Sequence, residues 1–103
     1  MGVKWLTVPL NEQGKIDENY GKQHTPNLAE FILDESEFDS LWDNDVFKLI
    51  NSRCNLLIDD YESEEISADN LRKCIDIIEL VPGKFREAAL LAIEKDTYLA
   101  LDF

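Results

Sequence analysis

The residues here with the most chemistry to offer are carboxylates. Ile58 to Ser67 reads IDDYESEEIS, which places Asp59, Asp60, Glu62, Glu64 and Glu65 within seven positions with Tyr61 among them. Clustered carboxylates can hold a hard divalent cation, trade protons as an acid–base pair, or attract a positively charged partner. A calcium loop needs oxygens at alternate positions and a glycine for its sharp turn. After Asp59 those steps fall on Tyr61 and Ser63, and no glycine follows, so no metal is expected. Acid–base carboxylates face each other across a cleft whose surroundings separate their pKa values, which contiguous exposed acids do not do. The one histidine, His24, lies in the polar stretch GKQHTPN with no Ser or Cys nucleophile pattern to serve. GxSxG, P-loop, GxGxxG and HExxH patterns are all missing. The expectation is a protein without catalytic residues or cofactor, not an enzyme.

Binding is the remaining use. A tyrosine supplies rigid contact area with a polar tip, and acids around it can steer and pair with Lys and Arg of a partner. A charge run is also commonly a solvated face that keeps a protein dispersed. The distribution favours binding: of a net charge of −12, the segment from Asp34 to Glu65 holds eleven acids against two bases, or nine of the twelve excess charges. The expected partner-binding residues are therefore Asp59, Asp60, Tyr61, Glu62, Glu64 and Glu65, flanked by Asp39, Asp43 and Asp45. Such a field argues against direct contact with nucleic-acid phosphates or an anionic membrane.

The elements that position these acids follow from periodicity. At 103 residues with 45% hydrophobic residues, the chain suits one domain, 1–103, with a modest core. VKWLTVPL reads as a strand ending at Pro9, and the polar stretch 11–27 as a turn and irregular connection with at most a short helical turn. Asn27 can cap a short helix through Leu33. Phe38, Leu41, Trp42, Val46, Leu49 and Ile50 recur at helical spacing, with a possible break at DND, 43–45; Phe47 falls off that stripe. Trp42 and Phe38 read as core rather than contact. Leu56-Leu57-Ile58 is too short to assign. Ser67 caps a second helix with Leu71, Cys74, Ile75 and Ile78 inward, stopped by Pro82-Gly83. A third helix runs from about Lys84 to Asp96, and TYLALDF alternates as a strand. Cys54 and Cys74 read as buried, reduced thiols. The fold class is α+β: three or four helices packed on a small antiparallel sheet formed by the terminal strands. A terminal strand left at the sheet edge could pair with another chain, so the oligomeric state is open. With no long apolar run and no basic, apolar leader, a cytoplasmic location is expected.

With FDSLWDNDVFKLIN, LLIDDYESEEI and the terminal TYLALDF, the chain resembles the small acidic immunity proteins of bacterial toxin–immunity systems, nearest to those protecting against contact-dependent growth inhibition toxins. The tyrosine-centred acidic motif of DNase colicin immunity proteins is not reproduced, so no residue roles are carried over from that group. The resemblance implies a cytoplasmic inhibitor whose partner is a cognate basic toxin domain, commonly a nuclease, silenced by occupying or flanking its cationic cleft. The alternative is an acidic adaptor or regulatory module for a housekeeping protein.

Overall fold

Leu6 and Val8 alternate with Trp5 and Thr7, and that parity gives strand β1 (Lys4–Pro9) one apolar face and one mixed face. The computed structural model describes residues 4–59, 63–81 and 83–103. After β1 come α1 (Glu12–Asn19), β2 (Leu28–Leu33), α2 (Glu35–Asp43), α3 (Val46–Cys54), β3 (Ser63–Ser67), α4 (Ala68–Lys73), α5 (Ile75–Leu80), α6 (Lys84–Lys95) and β4 (Tyr98–Asp102). The strands form one sheet in the order β2-β1-β4-β3, each neighbouring pair antiparallel.

The α+β class and the pairing of the two terminal strands stand, but the element count is corrected. Among the described residues there are six helices rather than three or four, and four strands rather than the terminal two. The 38–50 stretch does break at DND into two helices: the Asn44 side-chain amide donates to the Ser40 carbonyl at 2.8 Å and Asp45 adopts φ 60°. The second helix also divides: at Cys74 the backbone turns to φ −109° and its N–H bonds back to Leu71. LAEFIL is strand β2, not a helix capped by Asn27, because six register pairs from Lys4↔Leu33 to Pro9↔Leu28 claim its backbone. Helix α1 lies where an irregular connection was expected. It has no apolar stripe; Asn11 caps it by accepting the Gly14 N–H at 2.8 Å. The terminal strands are the two inner strands, so the edges are β2 and β3.

The core lies between the Leu6/Val8 face of the sheet and helices α2 to α6. Phe47, expected off the stripe, is fully buried and touches Trp42, Phe85 and Phe103 at ring separations of 5.0, 5.4 and 5.5 Å. Leu49, expected inside, is 48% exposed. Both follow from the break at Asp45, which restarts the helical phase at Val46. Phe38 is buried and Trp42 half-buried against the core, as expected of them. Leu56–Ile58 is irregular: Asn51 holds it through bonds to the Ile58 N–H at 2.7 Å and the Ile58 carbonyl at 3.1 Å. None of the helices among the described residues is long and apolar enough to cross a membrane.

One acid in the expected binding segment has a structural task. The Glu37 carboxylate accepts the N–H groups of Lys84 at 3.0 Å and Phe85 at 2.9 Å, closing the start of α6 from α2. Gly83 precedes them at φ 104°, and a Cβ there would stand 2.6 Å from the Glu37 carboxylate. Glu37→Ala and Gly83→Ala should each lower stability by about 1–3 kcal/mol, read from urea unfolding at constant m. Wild-type stability of either variant would refute the clamp.

Candidate functional site

The second face of the sheet is built by the other half of the same alternation. Register places Ile32, Trp5, Asp102 and Ser63 in one row across the four strands, and Glu30, Thr7, Ala100 and Glu65 in the next. Helix α1 packs on this face at the Pro9 end. It comes so close that a Cβ on Gly14 would collide with the Asn27 carbonyl and press on Pro9 at 3.2 Å. Thr97 secures the same end by donating its hydroxyl to the Pro9 carbonyl at 2.7 Å.

What α1 leaves uncovered is a trough of about 410 Å³. Trp5, Thr7 and Ala100 line its floor; Lys22 and Gln23, which follow α1, stand along one side. Five carboxylates border it: Glu18, Glu30, Glu64, Glu65 and Asp102. They come from α1, β2, β3 and β4, and are not neighbours in sequence apart from Glu64 and Glu65.

The loop from α1 to β2 is anchored by Asp17, which is 3% exposed. Its carboxylate accepts from Gln13 at 2.9 Å and Asn27 at 3.4 Å, with Lys22 at 4.0 Å. The Gln13 bond, with those of Thr25 and Asn27 and the Lys22 charge, outweighs burial and holds Asp17 below the usual carboxylate range. Farther along, Glu30 takes both the backbone N–H and the Nδ1 of His24 at 2.9 Å, and the His24 ring meets Trp5 edge-on at 6.1 Å.

The trough is electrostatically under-compensated at Glu65. Burial, then the Glu18 charge and a hydrogen bond to Glu18, then Glu64, push the Glu65 carboxyl above its ordinary value. Tyr98 donates its hydroxyl to Glu18 at 2.6 Å, and burial together with that carboxylate pushes its phenol up as well. The Glu18 carboxylate, brought in by α1, thus raises the cost of ionising Glu65. Such a site suits an incoming ammonium or guanidinium, whose charge would favour the ionised Glu65.

The expected binding residues are divided by the fold. Glu65 faces the trough, and Glu64 borders it while accepting the Glu65 N–H at 3.1 Å. Asp39 and Asp43 are exposed on α2 in the helical layer, with Asp34 and Glu35 in a shallow depression of their own. Asp45 pairs with Lys48 at 3.6 Å. Asp59 is half-buried beside Ile58; Asp60, Tyr61 and Glu62 lie outside the described residues. Reasoning along the chain missed Glu18, Glu30, Asp102 and Trp5. The available signal was parity: Trp5 and Thr7 in the first strand and Asp102 in the last fall on the face opposite the Leu positions.

Compared with known proteins, the chain matches no family model, no curated protein and no solved structure. Among the described residues, no three or more His, Cys, Asp or Glu side chains are gathered as a metal ion would require.

A raised carboxyl in the folded state is a cost above its folded pKa that vanishes below its unfolded one. Glu65→Gln should therefore raise the melting midpoint at pH 7 by roughly 1–3 °C, a gain lost as pH falls to about 4. An equal shift at both pH values would refute a raised Glu65 carboxyl.

Proposed function

We propose that the chain is a binding protein that docks a cationic protein partner through the trough on the open sheet face. The observation that carries this is the raised carboxyl of Glu65 beside Glu18, within a rim of five carboxylates around Trp5, a set of charges that a cation from outside would stabilise. The net charge of −12 supports it by favouring encounter with a basic surface.

On this proposal the partner is a toxin domain, of nuclease type, and the chain is its immunity protein in the cytoplasm of the producing cell. The support is the sequence resemblance and the match of an acidic trough to the basic clefts that hold phosphates. Neutralisation would work by occupancy: Lys or Arg side chains that grip nucleic acid would instead insert between Glu30, Glu64, Glu65 and Asp102. No chemistry by the chain itself is required. Because ionised Glu65 is the form that pairs with such a cation, affinity should weaken as pH drops below its raised pKa.

The test begins with co-purification of the chain with the product of an adjoining toxin gene. Stopped-flow association is then compared for two charge-reversed variants. Glu64→Lys with Asp102→Lys should slow association at least tenfold at about 20 mM salt, the gap narrowing at about 0.5 M. Asp39→Lys with Asp43→Lys, in the helical layer, should change it far less. The reverse ranking, in variants with unchanged circular dichroism, would move the interface to α2.

A further inference from the structure

Cys54 ends α3, Cys74 stands at the junction of α4 and α5, and their sulfurs lie 3.4 Å apart as free thiols. Neither belongs to the trough. Cys74 is fully buried, while Cys54 is half-buried and also faces the Asn70 carbonyl at 3.5 Å. The surrounding backbone is pinned. Arg53 bonds the Lys73 carbonyl at 3.0 Å and the Asp76 carboxylate at 2.6 Å, tying the end of α3 to both sides of Cys74.

We propose that Cys54 and Cys74 form a modification site, a dithiol that a small disulfide of the glutathione class converts to an intramolecular disulfide. The thiolate of Cys54, the more accessible sulfur, attacks one sulfur of the oxidant. The oxidant's S–S bond breaks, and one thiol leaves and takes up a proton. Cys74 then loses its proton and attacks the Cys54 sulfur of the mixed disulfide, expelling the second thiol. Two electrons and two protons pass from the protein to the oxidant, which ends as two thiols. The sulfurs at 3.4 Å must approach to about 2.05 Å for the bond to form.

Burial above all, then the neighbouring Cys54, pushes the Cys74 thiol up to about 12, against the pull of Arg53. The second step should therefore quicken as pH rises. The new bond would close the segment from 54 to 74, which contains β3 and so one wall of the trough.

The experiment incubates the purified full chain with oxidised glutathione at about pH 8.5 and follows mass, peptide map and melting midpoint. The expected result is a loss of about 2 Da, a linked Cys54–Cys74 peptide and a midpoint raised by about 10 °C, all reversed by dithiothreitol. Cys54→Ser should lose neither mass nor gain stability. A persistent glutathione adduct on Cys54, a linked dimer, unreacted thiols, or a linked peptide with a lowered midpoint would each overturn the proposal. The peptide map of the parent chain decides the matter even if the variant fails to fold.

Discussion

A strand presents its side chains alternately to two faces, and in this protein helices α2 to α6 cover only one of them. Everything else in the architecture answers that constraint. The Leu6, Val8, Leu33, Ile66, Leu99 and Leu101 set needs a helical layer, and Phe47, Phe85, Ile50, Leu71 and Ile78 supply it. Among the described residues, the opposite face receives just α1, a helix of eight residues whose buried positions are Gly14 and Asp17. A helix with no apolar stripe stays on a sheet only if polar anchors hold it. Here they are Asn11, the Asp17 cluster and the bond from Tyr98 to Glu18. The trough is the part of the sheet left beyond the reach of so short a helix.

The acids of this chain divide by task, and the division explains why charge density along the sequence is a poor guide to the surface. Asp34 caps α2 by accepting the Glu37 N–H, and Glu37 in turn closes the start of α6. Asp69 and Asp96 both engage Arg72, and Asp76 engages Arg53, which holds its carboxyl below the usual range. Exposed pairs of that kind add little each, but they neutralise the carboxylates they use. Among the described residues that line the trough, its acids share one ammonium, Lys22, which also faces Asp17. Glu64 and Glu65 have a second, purely structural value: they place charge on the edge strand β3, where an apolar strand would invite pairing with another chain.

Much of the fold was legible because its signals are local. Ser67 and the stripe after it, the helix from Lys84 and the alternation of Tyr98 to Asp102 each carry their own periodicity. What was not legible depends on contacts across the chain. LAEFIL has the composition of either a helix or a strand, and only pairing with β1 decides. Phe47 became the centre of the aromatic core because Asn44 and Asp45 reset the helical phase just before it. The run at 59–65 carries no strand signal of its own, yet its acids Glu64 and Glu65 lie within β3.

The candidate site shows the same limit more sharply. Glu18, Glu30, Glu65 and Asp102 are spread over 85 positions; strand register gathers the last three and the packing of α1 adds Glu18. Linear clustering measures which acids are synthesised together, while repulsion depends on which acids fold together. A conventional surface disperses like charges, since crowding them costs stability at every pH where they ionise. A fold that crowds them on one sheet face, where Glu18 and Glu64 raise the cost of ionising Glu65, retains repulsion at that point. A cation brought by another molecule would lessen it, and that makes the back of the sheet, more than the density of the 34–65 segment, the ground for the proposed partner.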